Sequence, residues 1–587
     1  MSKTKSTKQS RLIVWRGRFR RIAKFLADTP LPEILFLSTF VLIRWWNNSD
    51  FSYPREILLP VVAFTVLAII VFYLYRAIFG PGLAAHLASL SLLYLFYVFQ
   101  FIEGTRFGTA VYNIIPDGLS TAFTRCIILA ILLGLLCGGS AWVVQRVTQR
   151  YKILRQLQLY KVILFAIAFI FALQVVRTGT RLFDLRHQLS YKYPAPALPA
   201  PSATAQSTKP DIYYLVFDRY TNSNVLKESF NYDNSEMTKF LDEQDFVIRQ
   251  NALSNYPFTM SSIASTMAMN YFPELERKFG RDGSWQSAAP YRSVFNDPPI
   301  ARVLKSHGYQ YNQVSSWWDF ARIGIKADSQ PTRSYRLRVL NKPFYLSDLQ
   351  RDIFFKSILS PWVKKGLTLF DKGVIKYDID RNPIENFDAQ MSSLKAIAAR
   401  ADKSTPQFSF AHVLAPHPPY IFDANGNIPS YDHESNDNGV DESVKYTSEL
   451  TYLNKRIKDL ITRIREDSPS SIIVIQADEG PYPKQFRGPM SATHYYNPLE
   501  LPQKQMQQKF GVFATYYMPG IASEELSQLD SSVNVFRFIL DNYLGYDLKM
   551  LPDCQLSSGN KFNIYNYTVV NDRLTGEALP AECRQYE

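Results

Sequence analysis

The chain has 587 residues, 47% of them hydrophobic, and a formal net charge of +13, a length sufficient for two or more domains. Neither property is evenly spread: the apolar residues crowd the first third, and Lys3, Lys5, Lys8, Arg11, Arg16, Arg18, Arg20, Arg21 and Lys24 all precede Asp28, the first acidic residue. A basic run set directly before apolar segments flanks a membrane and does not imply nucleic-acid binding; nor is there a Walker loop, a Rossmann fingerprint, a CxxC pair or an internal repeat.

Five apolar stretches follow, near Leu31–Trp46, Ile57–Tyr75, Leu83–Phe101, Ile127–Val144 and Tyr160–Val176. A span needs about 20 mostly apolar residues; the first stretch is short and contains Arg44. No cleavage pattern precedes them, so they read as retained helices. The basic N-terminus and the loop with Arg146, Arg150, Lys152 and Arg155 fall on one side of a five-span bundle, which makes that side cytoplasmic. The expected organisation is a basic cytoplasmic segment (1–28), a five-span anchor (29–178) and a Pro/Ala-rich tether (179–210). The tether sequence "YPAPALPAPSATAQSTKP" cannot bury a core.

From Asp211 the pattern changes. "DIYYLVF" reads as a strand. "NSEMTKFLDEQ" reads as a helix capped by Asn234 or Ser235. "IARVLKSHGYQYNQVSS" is a helix, a Gly stop and a strand, and "QFSFAHVLAP" is a buried strand. "SVKYTSELTYLNKRIKDLITRIRED" has helical apolar periodicity and leads into the strand "SSIIVIQAD". The alternation predicts an extracytoplasmic α/β domain over 211–550, with a mainly parallel sheet covered by helices on both faces, and a tail over 551–587.

In such sheets ligands sit beyond the carboxyl ends of the strands. Asp218 ends one strand, Asp478 and Glu479 end another, and His412 and His417 lie in or just past a third. Thr259 opens the helix-like run in "SNYPFTMSSIASTMAMNYF", where free N–H groups favour a bound anion. Each has an ordinary reading too: Thr259 as a helix cap, Asp478–Glu479 as a solvated turn, His417 as a structural histidine. His494 is a loop histidine without a local partner.

The order of "DIYYLVFD", "SNYPFTMSSIAS", "HVLAPHPPYIFD", "IIVIQADEGP", "FGVFATYYMPG" and "SSVNVFRFIL" resembles the alkaline phosphatase/sulfatase superfamily, and within it membrane-anchored members such as lipoteichoic acid synthases and phosphoethanolamine transferases. The resemblance covers about Asp211 to Gly545. It implies Thr259 as nucleophile and metal ligand, Asp218 and Asp478 as metal ligands, and His417, His412, Arg219 and His494 as substrate-binding residues, with His417 against the substrate head group. Glu479 stands where the family has a histidine. An all-oxygen set of Asp218, Thr259, Asp478 and Glu479 favours manganese or magnesium over zinc. The implied activity is phospho- or sulfo-ester hydrolysis or transfer on an envelope lipid or glycan, outside a bacterial cytoplasmic membrane. The alternative is an inactive, metal-free domain that binds a glycan or protein partner, with Arg219 paired to Glu479. Cys554 and Cys583 pair if their compartment is oxidising.

Overall fold

The structure, a computed structural model, describes residue 25 and residues 28–103, 122–151, 159–202, 209–279, 286–316, 318–322, 324–331, 336–339, 342–344, 346–355, 357, 367–369, 375–378, 383–400, 402–429, 440–483, 497–558 and 564–586. The chain divides into two compact units, residues 1–186 with 335–379, and residues 187–334 with 380–587.

The first unit holds helices α1 (Leu31–Asn47), α2 (Leu58–Phe79), α3 (Leu83–Glu103), α4 (Ala122–Arg150) and α5 (Leu159–Leu189). Among the described residues, three helical segments are long and apolar enough to cross a membrane: Pro54–Phe79, Ala130–Arg150 and Val162–Leu189; Leu83–Tyr97 is a shorter apolar helix. Five helices therefore stand where five spans are expected, but only three are long and apolar enough among the described residues, so five spans are not confirmed; α1 has 17 residues and carries buried Glu33 and partly buried Arg44. Both charges have partners: Glu33 Oε1 lies 2.7 Å from His86 Nδ1 and accepts from Ser89 Oγ at 2.6 Å. Arg44 Nε donates to Tyr97 Oη at 2.8 Å, and its guanidinium lies 3.6 Å from Asp352. Asp352 belongs to the helix Asp348–Phe355, whose Leu349 and Ile353 are buried among residues of α1, α2 and α3. The same insertion contains a four-stranded antiparallel sheet ordered Lys342–Phe344, Arg336–Val339, Ile375–Asp378, Leu367–Leu369.

The second unit is built on a six-stranded sheet of β1 (Ile212–Phe217), β2 (Val247–Ile248), β3 (Gln310–Val314), β4 (Gln407–Val413), β5 (Ile472–Gln476) and β6 (Ala514–Tyr517), in the order β2-β6-β5-β1-β4-β3. Strands β5, β1, β4 and β3 are parallel, and β6 and β2 add an antiparallel edge, so the sheet is mixed. All six residues of β1 are buried, the continuous apolar run expected of a strand covered on both faces. Helix α6 (Thr259–Ala268) covers one face: its Thr266 lies beside Tyr214 of β1, and Tyr214 also meets Phe536 edge-on at 5.2 Å. Helix α7 (Pro383–Ala398) packs on β4 and β3 and against α8 (Glu442–Asp467). Tyr191 and Tyr193 pack on this unit's core, so part of the Pro/Ala-rich stretch is seated. A disulfide joins Cys554 to Cys583.

Glu449 of α8 braces the loop after β4: its Oε1 accepts from Ile421 N at 2.8 Å and from Phe422 N at 3.3 Å. Burial pushes this carboxyl from 4.5 up to about 8. A raised folded value means that stability is fully present below about pH 4.5 and is lost as pH rises through about 8. Chemical denaturation of the intact protein across that window should show the decline, and Glu449→Gln should flatten it. Replacing Cys554 and Cys583 together by serine, which opens a loop of 29-residue separation, should lower the same unfolding free energy by about 3–4 kcal/mol.

Candidate metal centre

Strand register explains why distant residues meet. Val216 of β1 is paired with His412 of β4 on one side and with Gln476 of β5 on the other. Paired residues of parallel strands share a face, and every second residue returns to it. Two steps beyond Val216 and Gln476 stand Asp218 and Asp478, so both carboxylates share the face of His412. Helix α6 lies on that face. Thr266 marks it beside Tyr214; Thr259, seven residues earlier on the same helical face, is about 10 Å nearer the carboxyl ends of the strands.

The chain turns sharply after β1. Asp218 N donates to Val413 O at 2.9 Å, and Arg219 adopts a left-handed conformation with φ 64°, uncommon for a residue with a Cβ. Arg219 N donates to Asp478 Oδ1 at 3.3 Å and its carbonyl accepts from Tyr446 Oη at 2.8 Å. The turn therefore leaves Asp218 in the cluster and sends the Arg219 side chain elsewhere.

One ligand atom each of Asp218, His412 and Asp478 lies within 4.8 Å of the others. Asp218 Oδ2 and His412 Nε2 are 3.3 Å apart. All three residues are at most 2% exposed, and Asp218 Oδ1, Asp478 Oδ2 and His412 Nε2 have no hydrogen-bond partner. Buried polar atoms are almost always satisfied, so three orphans in one cluster make this a candidate site for a cation. Thr259 adjoins it. Phe258, not Thr259, is the N-cap of α6, and the Thr259 side chain stands beside Asp478, whose charged form it favours.

The electrostatics are those of a crowded carboxylate pair. Burial, the Asp218 charge and the Glu479 charge all push the Asp478 carboxyl well above the ordinary range. Burial opposes the ionisation of Asp218 as well, but His417, His412 and Arg219 outweigh it and hold that carboxyl low. Burial, reinforced by the Arg219 charge, keeps His417 below the ordinary imidazole value.

Glu479 is not part of the trio. Its Oε1 lies 2.9 Å from Arg219 Nε and 2.9 Å from Lys509 Nζ, with Glu479 and Lys509 both buried. Both cations also approach the Tyr482 ring at 4.1 Å. Lys509 reaches this position because residue 480 is glycine: a Cβ there would stand 2.1 Å from Gln508 O. His417 is partly exposed, with Nδ1 against Pro418 O, and lines a cavity with Asn386, Gln390 and Glu449. His494 lies outside the described residues. Lys509 had no signal in the sequence, since "QKQMQQKFG" reads as an ordinary solvated helix. His412 carried one, its place near the end of a buried strand, but its role as a donor depends on register with β1.

A protein-family profile described as Sulfatase matches residues 224–545. No curated protein matches the chain. Among solved structures it is similar to the C-terminal periplasmic domain of EcEptC from Escherichia coli in complex with Zn (13% identity, 60% of this chain and 87% of that one, TM-score 0.36). It is also similar to the soluble domain of lipooligosaccharide phosphoethanolamine transferase A from Neisseria meningitidis (10%, 60% and 91%, TM-score 0.36) and to the lipoteichoic acid synthase LtaP from Listeria monocytogenes (13%, 63% and 80%, TM-score 0.34). The profile match spans more than half of the sequence, and on it the chain belongs to the sulfatase family of the alkaline phosphatase/sulfatase superfamily.

Proposed function

We propose that the protein is a membrane-anchored, metal-dependent hydrolase or transferase of phosphate or sulfate esters, acting on a cell-envelope lipid or glycan with Thr259 as nucleophile. The observation that carries this reading is the set of three buried, unpartnered donor atoms on Asp218, His412 and Asp478 beside the Thr259 hydroxyl. Asp218, His412, Asp478 and Thr259 would hold one divalent cation. Such an ion lowers the pKa of a coordinated hydroxyl and neutralises charge on the transferring group. With an imidazole in place of Glu479 the donor set is mixed nitrogen and oxygen, which admits zinc as well as manganese. This replaces the all-oxygen preference expected from Glu479.

The chain's own groups supply the rest. The Asp478 carboxylate, beside the Thr259 side chain, takes the hydroxyl proton as Oγ1 attacks and returns it to the departing ester oxygen. The first turn of α6 offers its positive dipole end to the oxygens of an anionic ester. Thr259 Oγ1 attacks phosphorus or sulfur, the ester oxygen leaves with a proton, and the group stays on Thr259 until water or an acceptor hydroxyl displaces it. Arg219 and Lys509 contribute positive charge close by while remaining paired with Glu479.

The proposed topology keeps the N-terminus in the cytoplasm and the sulfatase-family domain outside the cytoplasmic membrane. It rests on the basic residues before Asp28 and around Arg150, and on the odd number of helices long enough to cross among the described residues. The Cys554–Cys583 disulfide suits an oxidising compartment. The divisions at 28, 178, 210 and 550 belong to the same proposal.

Two measurements test these statements. Thr259→Ala should lower turnover of a chromogenic phosphate or sulfate ester by at least about 10³-fold with thermal stability unchanged; unaltered turnover would remove Thr259 from the chemistry. Reporter fusions after Arg150 and after Ser202 should report opposite compartments, the first cytoplasmic; a cytoplasmic signal from the second would overturn the topology.

A further inference from the structure

His412 approaches the cluster from β4, on the opposite side of β1 from Asp478. Its other ring nitrogen therefore meets whatever follows β3, the edge strand beyond β4. There, two residues after β3 ends, the Ser316 Oγ lies 3.3 Å from His412 Nδ1. Ser316 is fully buried, and Trp318 N donates to its Oγ at 3.1 Å. Trp318 meets the ring edge-on at 5.4 Å, and the His412 backbone carbonyl accepts from Gln390 Nε2 at 2.9 Å.

The imidazole proton has two places to sit. On Nε2 it would be given to Asp218, yet Nε2 makes no hydrogen bond although Asp218 Oδ2 is only 3.3 Å away. On Nδ1 it is given to Ser316 Oγ, and the bare Nε2 lone pair then faces two carboxylates. Lone pairs crowded in that way repel one another unless a cation lies between them. Metal-binding histidines show this arrangement: one nitrogen on the ion and the other donating to a fixed acceptor.

We infer that Ser316 is a positioning residue that accepts the Nδ1–H of His412 and so presents Nε2 to the divalent cation. The inference rests on the metal-centre reading above. It also follows from where this chain carries its imidazole. With Glu479 at the end of β5, the histidine comes from β4, and its support has to come from the β3 side of the sheet.

The test uses the full chain, purified metal-free in detergent and titrated with Zn²⁺ alone against a competing chelator. Ser316→Ala should weaken zinc binding about 10–100-fold. Ser316→Thr, which keeps the hydroxyl, should bind within a few-fold of the parent, and the metal-free melting temperature should be unchanged in both. Should Ser316→Ala fail to fold, Ser316→Cys, a poor hydrogen-bond acceptor of similar volume, carries the same expectation. Parental zinc affinity in Ser316→Ala, with affinity lost in His412→Ala, overturns the role of Ser316. A loss that Ser316→Thr does not restore, accompanied by a lowered melting temperature of the metal-free protein, also overturns it. Parental affinity in His412→Ala overturns the metal centre itself.

Discussion

Two carboxylates buried side by side repel each other, and each also loses the solvation that keeps it ionised. Asp218 and Asp478 are in that position, at 2% and 1% exposure. The cost of removing a charge from water is several kcal/mol even after the surroundings relax. Hydrogen bonds within the protein do not meet it here, because one oxygen of each carboxylate is left without a partner. A positive ion between the three donors, as proposed above, would meet that cost.

A second charge cluster sits beside the first and is self-contained. Glu479 takes Arg219 and Lys509 on one oxygen. The left-handed turn at Arg219 separates the two clusters by directing adjacent residues to different partners. Asp478 and Glu479 are likewise neighbours with different partners. The glutamate at 479 is thus neutralised internally, and the imidazole of the trio enters from the next strand but one.

Much of this organisation was legible in the sequence. "DIYYLVFD" and "SSIIVIQAD" are continuous apolar runs ending in acids, and composition alone marks them as buried strands; the roles of their ends came only from the family resemblance. Thr259 was visible as the residue opening a helix. The assignment of Glu479 to the ligands was not settled by sequence, because a glutamate's partners depend on cations that are distant in the chain. Arg219 is adjacent, but Lys509 is 30 positions away and reaches Glu479 only because Gly480 permits close backbone approach. His412 and Ser316 are separated by 96 residues, and strand order brings them together. The first helix misled for a similar reason: Glu33 and Arg44 look foreign in an apolar segment until His86, Ser89, Tyr97 and Asp352 are seen around them.

The insertion 335–379 belongs by contact to the unit of the N-terminal helices, although by sequence it lies within the sulfatase-family region. The chain therefore passes between its two units three times, after Arg186, after Ser334 and after Ile379. A single-linker protein can exchange its anchor by one recombination event, as a cassette. This one cannot: a new anchor would leave Leu349 and Ile353 without the helices that bury them. Substitutions in the first 186 residues are therefore constrained by a helix encoded more than 150 residues downstream, inside the sulfatase-family region.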